Sequence, residues 1–211
     1  MTKKQKALAV VNEMIRLYPH AECSLVAKAP HELLIATRLS AQCTDKRVNI
    51  VTKPLFEKYR SVDDFANADV DDVGEIIRSC GLYKTKARDI VNMCIMLRDV
   101  YGGVVPDTID ELIKLPGVGR KTANLIVGDV YGKPAVVTDT HLIRITNRLG
   151  FVDTKEPKKV EFELKKLLPP EESNDFCHRM VMFGRDVCKA PTAKCEICTL
   201  HGLCKEYKKQ K

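Results

Sequence analysis

Four cysteines crowd the C-terminal end of the chain: Cys188, Cys195, Cys198 and Cys204, spaced C-x6-C-x2-C-x5-C. No other feature restricts the fold as sharply, because four thiolates in so short a window can wrap one inorganic centre and pin the loop around it. Four-cysteine sets serve iron–sulfur clusters and structural zinc alike. Zinc ligands commonly come as two close pairs far apart, so this spacing leans towards iron–sulfur and leaves zinc open. The other five cysteines, Cys23, Cys43, Cys80, Cys94 and Cys177, fall mostly in helical patterns and read as buried free thiols. Free thiols point to a reducing compartment, where clustered cysteines bind metal rather than pair as disulfides.

Ahead of that loop the chain reads as helices. Apolar residues recur at helical spacing, with Gly and Pro mostly between the periodic stretches. The first helix is predicted over Thr2–Leu17, with Leu8, Val11 and Ile15 on its apolar face. Pro30 opens a second to about Leu39, and Thr44 caps a third to about Tyr59, with a kink or break at Pro54. Val62–Cys80 holds one short and one longer helix, stopped by Gly81. Thr85–Tyr101 is strongly helical, and Thr108 with Glu111 forms a capping box for a short helix ending at Pro116. Further helices follow from Arg120 to Tyr131, from His141 to Leu149, and over 156–168 and 171–187. Strand signals are weak and no internal repeat is present, so the fold class is all-α.

Charge adds a partner class. The net charge is +7, which fits a polyanion such as nucleic acid and equally an ordinary lysine-rich surface. Lys3-Lys4 and Lys208-Lys209-Gln210-Lys211 supply much of the excess and can be solvated tails. No apolar run is long enough for a membrane span, and the N-terminus lacks the apolar core of a secretory signal. The expected location is intracellular, in cytoplasm and nucleoid.

The stretch Leu115-Pro116-Gly117-Val118-Gly119-Arg120-Lys121-Thr122-Ala123 joins two helices by a glycine hairpin. Its glycines allow a sharp turn and close backbone approach, and the next helix start offers N–H groups to a phosphate. It can therefore grip a DNA backbone without reading sequence, or be a plain helix–helix turn. Lys121 sits in the first helical turn, where the dipole disfavours a cation. That position, with burial, would favour the neutral amine of a nucleophilic lysine; a phosphate contact is the plainer alternative. Downstream, Asp139 in Val137-Thr138-Asp139-Thr140-His141 is either an N-cap or a carboxylate facing Lys121 across a cleft.

Together these residues resemble the endonuclease III family of helix-hairpin-helix DNA glycosylases. The match takes in Leu39-Ser40-Ala41-Gln42 with Thr44-Asp45, Gly81-Leu82-Tyr83 with Lys86-Ala87, Leu115 to Ala123, Val137 to His141 and the full cysteine spacing. The resemblance implies two helical domains flanking a DNA-binding cleft. One is a six-helix domain over 23–133 carrying the hairpin; the other is a cluster domain from 1–22 plus 134–211. It makes Lys121 the nucleophile, Asp139 its catalytic partner, and the four cysteines ligands of one [4Fe–4S] cluster. It sends Gln42 and Leu82 into the duplex where the damaged base leaves. Gly117, Val118, Gly119, Arg120, Thr122 and His141 are further DNA-binding positions.

The implied activity is that of a monomeric, bifunctional glycosylase and abasic-site lyase. It would remove oxidised or damaged pyrimidines from double-stranded DNA and cut 3′ to the abasic site by β-elimination through a lysine Schiff base. Arg185, Lys189 and Lys194 near the cysteines are candidate phosphate contacts. Two other readings remain: a mismatch or adenine glycosylase without lyase activity, and a non-catalytic DNA-binding module with a zinc knot.

Overall fold

The computed structural model describes residues 1–209; Gln210 and Lys211, the end of the basic tail, lie outside the described residues. Every regular element among the described residues is helical. In chain order the α-helices are α1 (Lys3–Leu17), α2 (Pro30–Leu39), α3 (Asp45–Lys58), α4 (Val62–Ala66), α5 (Val70–Ile76), α6 (Tyr83–Tyr101), α7 (Ile109–Leu112), α8 (Arg120–Asp129), α9 (Thr140–Leu149), α10 (Pro157–Leu167), α11 (Ser173–Asp186) and α12 (Lys205–Lys209). They fall into two compact units. Cys23–Tyr131 holds α2 to α8; Met1–Glu22 and the chain from Gly132 onward form the other. Among the described residues, no helix is long and apolar enough to cross a membrane.

Helix starts follow local chemistry. The Thr2 hydroxyl accepts from the Gln5 N–H while the Gln5 side chain accepts from the Thr2 N–H, a reciprocal capping box. Thr44, Ser61, Asp69 and Asp139 cap α3, α4, α5 and α9 through their side-chain oxygens. Pro30 and Pro157 occupy first-turn positions, where a missing N–H costs nothing.

In the unit from Cys23 to Tyr131, α6 is the spine. It buries Ala87, Ile90, Val91, Met93, Cys94 and Leu97 and packs against α2, α4 and α5. Helix α2 also meets α8, whose residues from Ala123 to Gly128 are all buried. Each large aliphatic side chain sealed in this way contributes about 1.5–3 kcal/mol. In the other unit α11 packs on α9 and α1. Arg179, 5% exposed, donates to the Tyr18 carbonyl (3.2 Å) and pairs with Glu172 (2.8 Å) and Asp175 (3.2 Å), fastening the end of α1 to α11.

Several expectations are corrected. Leu8 is 48% exposed; the buried stripe of α1 is Ala7, Val10, Val11 and Met14. Both stripes have helical spacing, and packing against α11 selects one. Helix α3 runs unbroken through Pro54. The carbonyl that loses its partner belongs to Ile50, which is 52% exposed, so water can take the bond. Val62–Cys80 forms two short helices and a 3-10 turn over Arg78–Cys80. Helix α6 begins at Tyr83, two residues early, because Leu82 in the left-handed region starts it. Helix α7 ends at Leu112, before Pro116, and its capping box is half formed: Thr108 accepts from the Glu111 N–H (3.4 Å), while the Glu111 carboxylate takes Tyr101 and Lys114. Cys23 and Cys43 are half-buried, whereas Cys80, Cys94 and Cys177 are buried as expected.

Candidate active site, hairpin and cysteine loop

Residues 113–119 turn the chain from α7 into α8. The Leu115 N–H donates to the Leu112 carbonyl and the Val118 N–H to the Leu115 carbonyl, each at 3.1 Å. Gly117 has φ +73°, and a Cβ there would lie 2.6 Å from Arg38 Nε and 2.9 Å from Asp89 Oδ2. Those two side chains are an ion pair at 2.6 Å, 14% and 22% exposed. Glycine is thus required both for its conformation and because a half-buried ion pair lies against it.

Val118 turns inward, 7% exposed, and anchors the hairpin from below. Gly117 and Gly119 face solvent, while Arg120 and Thr122 are half-buried. Gly119 is the N-cap of α8 and supplies no side-chain cap. The first N–H groups of the helix, at the positive end of its dipole, are not claimed by that cap.

Lys121 is the second residue of α8 and its side chain is exposed. The burial expected from the sequence is absent, because the buried run of α8 starts at Ala123. What Lys121 keeps is its place at the positive dipole end and open access to its amine.

Gln42 (φ +56°) and Leu82 (φ +49°) are the two non-glycine residues with positive φ among the described residues, and both are exposed, Leu82 by 58%. Periodicity alone would have put Leu82 in the core and left Gln42 unremarked. Between the segments that carry them lies Lys86, 0% exposed, whose Nζ donates to the carbonyls of Leu39 and Cys80 at 2.8 Å each. The sequence reading missed the role of Lys86. Its signal was its place on the apolar stripe of α6 with Ile90, Cys94 and Leu97.

In the other unit Asp139 caps α9, its Oδ1 accepting from the Leu142 N–H at 2.7 Å. Half-buried His141, two residues on, sits 3.1 Å from an Arg144 nitrogen. Gly184 of α11 leaves room for it: a Cβ there would run into the His141 ring. The same helix grips the cysteine loop. Arg144 donates to the Cys188 carbonyl (2.8 Å). Arg148 donates to the Cys188 thiol (3.3 Å) and to the carbonyls of Lys189 (2.9 Å) and Pro191 (3.1 Å). Sequence reading missed both arginines, although their four-residue spacing on the helix after Asp139 marks one shared face.

Cys188, Cys195, Cys198 and Cys204 line one cavity of about 380 Å³ together with Arg148, Val187 and His201. Burial raises the thiols of Cys195 and Cys198, and the other cysteines of the set push in the same direction. Among the described residues, no three His, Cys, Asp or Glu side chains gather tightly enough for a single metal ion. Arg185, Lys189 and Lys194 are exposed.

Residues 35–170 match the family described as HhH-GPD superfamily base excision DNA repair protein. The chain is 45% identical over 195 residues to the endonuclease III of Bacillus subtilis (strain 168), covering 92% of this chain and 89% of that protein. It is similar to the solved structure of a non-covalent endonuclease III–DNA complex, with TM-score 0.92 and 49% identity over 100% of this chain and 99% of that one. A trapped endonuclease III–DNA covalent intermediate, an estranged-adenine complex, matches with the same figures.

Proposed function

The chain belongs to the HhH-GPD superfamily of base excision DNA repair proteins and within it to the endonuclease III family, and from that premise we propose that it is a bifunctional DNA glycosylase and abasic-site lyase. Its substrates are double-stranded DNA with oxidised, ring-saturated or fragmented pyrimidines, and abasic sites. It acts as a monomer inside the cell. The observation that carries this reading is Lys121 in the opening turn of α8, directly after the Gly117–Gly119 turn, with its amine open to solvent. A nucleophile aimed at DNA has to be accessible until the DNA covers it.

The mechanism runs from backbone to base. The hairpin glycines and the uncapped start of α8 hold a phosphate, so affinity is largely independent of sequence. The damaged nucleotide leaves the stack at a cost of a few kcal/mol, part of which Gln42 and Leu82 offset by filling the gap. Positive φ at both exposed residues supports that role, since backbone strain of order 1–3 kcal/mol persists only where the surrounding structure holds it and clusters at active sites and ligand clamps. The neutral Lys121 amine attacks the sugar C1′, the C1′–N bond breaks, and the base leaves with the electron pair and takes up a proton. The carboxylate of Asp139 stabilises the positive charge that develops on the sugar. Ring opening gives a Schiff base between Lys121 and C1′. Loss of a C2′ proton then expels the 3′ phosphate, and water releases the amine.

The residues of the cysteine loop fit a [4Fe–4S] group. Four thiols share one cavity, and an arginine donates to one of them, which suits a thiolate-held anionic cluster. Cys188, Cys195, Cys198 and Cys204 would hold it. When bound, it supplies a rigid core for the loop and, through its potential, one-electron chemistry. Arg185, Lys189 and Lys194 around the loop are proposed phosphate contacts, and His141 with Arg120 and Thr122 further DNA contacts.

Borohydride reduction of the wild-type protein with an abasic duplex should leave a covalent protein–DNA adduct, and Lys121→Ala should leave none. Absence of the wild-type adduct would mean a glycosylase without lyase chemistry. Nicking assays on duplexes bearing different pyrimidine lesions, run beside Lys121→Ala, define the substrate range.

A further inference from the structure

Among the described residues Lys86 is the one lysine in the buried polar set, at 0% exposure, and the catalytic steps above do not use it. Sealing an ammonium in a helical core is expensive unless its donors are met, so its partners are informative. They are two carbonyls, and both end a helical segment. Leu39 is the last residue of α2, and Cys80 the last of the 3-10 turn over Arg78–Cys80. A cation at such an end meets carbonyls with no helical partner and the negative end of the peptide dipoles.

Those ends lead directly into the two strained positions. Three residues after Leu39 comes Gln42 at φ +56°, and two after Cys80 comes Leu82 at φ +49°. Burial pushes the Cys80 thiol up, and the nearby thiol of Cys43, the residue after Gln42, adds to that shift, so the two loops approach each other beside the ammonium. Burial lowers Lys86 from its ordinary value, while the neighbouring Cys80 and Cys43 thiols oppose that shift.

We infer that Lys86 is a positioning residue: by bonding the Leu39 and Cys80 carbonyls at once, its ammonium sets the spacing of the two loops so that Gln42 and Leu82 enter one gap in the duplex together. Lys86 itself touches no DNA. The inference rests on the duplex-entering role given above to Gln42 and Leu82. It adds the reason a lysine suits this position: its long side chain delivers three donors to two carbonyls from within an apolar stripe.

The test uses the full-length, cluster-containing protein and a duplex with a tetrahydrofuran abasic analogue opposite 2-aminopurine. Unstacking of 2-aminopurine on binding reads how well the gap is filled. Anisotropy on undamaged duplex reads the backbone grip of the hairpin. Lys86→Met should lose most of the fluorescence rise and lower kcat/KM on a lesion duplex about tenfold or more, as small misplacements at an active site do. Its affinity for undamaged duplex should stay within roughly twofold of wild type, well inside the tenfold step of 1.4 kcal/mol. Leu82→Ala should show the same pattern, and Lys86→Met added to it should cost little more, because both act on one step.

Equal losses in both readouts would reduce Lys86 to general structural support and overturn the inference, as would an unchanged fluorescence rise. If Lys86→Met does not fold, Lys86→Gln, which keeps an amide donor, carries the same comparison. A wild-type protein that forms no borohydride adduct would instead defeat the proposed function, so the two failures are distinguishable.

Discussion

Lys121 shows how a residue can be marked by position more than by surroundings. Its neighbours in the buried run of α8 begin only at Ala123, so its amine is free to move towards a substrate. Lys121→Ala should therefore lower lesion cleavage by roughly a thousandfold or more, the scale of losing a nucleophile, with little change in melting temperature. Single-turnover nicking and a thermal melt measure the two sides. Gly117 is the opposite case, fixed by surroundings. Ala at that position meets both a φ of +73° and the Arg38–Asp89 pair. Gly117→Ala should cost about 1–3 kcal/mol of stability and weaken duplex binding, read by denaturant unfolding and anisotropy. An unchanged unfolding midpoint would show that the hairpin relaxes freely.

Helix α9 joins two tasks at the scale of an element. Its N-cap is Asp139, and one face carries Arg144 and Arg148 to the cysteine loop. The sequence left Asp139 as either cap or catalytic carboxylate, and the cap is present. The two roles separate by substitution. Asp139→Asn keeps a capping oxygen and loses the charge, so stability should hold within roughly 0.5 kcal/mol while base release falls. Asp139→Ala loses the cap as well and should cost about 1 kcal/mol more. Equal activity of wild type and Asp139→Asn would leave only the capping role. At the other end of α9, Arg148→Met removes a donor to the Cys188 thiol and two loop carbonyls. The visible absorbance of the proposed cluster should then bleach faster in air than in wild type; an identical rate would sever the proposed link between that arginine and the cysteine loop's group.

At the scale of the molecule, the net charge of +7 and the uncapped start of α8 predict backbone binding that weakens with salt. With about six phosphates neutralised, the association constant for undamaged duplex should fall roughly a thousandfold between about 50 and 200 mM salt. A flat salt plot would remove the phosphate contacts from the account. Much of this protein was legible without coordinates. Helical periodicity, capping residues and the Gly117–Gly119 turn are local, and local hydrogen bonding decides them, so the all-α class and most helix positions followed from the residues alone. The cysteine spacing announced in the same way that the four thiols would share one cavity, because a short loop has few places to put them. What the chain could not announce depends on partners distant in sequence. Packing against α11 chose the stripe that α1 buries and left Leu8 outside. The Arg38–Asp89 pair decided how strictly Gly117 must be glycine. The burial of Lys86 between two carbonyls, and the exposure of Leu82 where an apolar residue would be placed in a core, emerged only once α2, α6 and the Arg78–Cys80 turn came together. Sequence specifies which hydrogen bonds and apolar stripes each segment can form; burial belongs to the assembled fold, because it depends on what stands opposite.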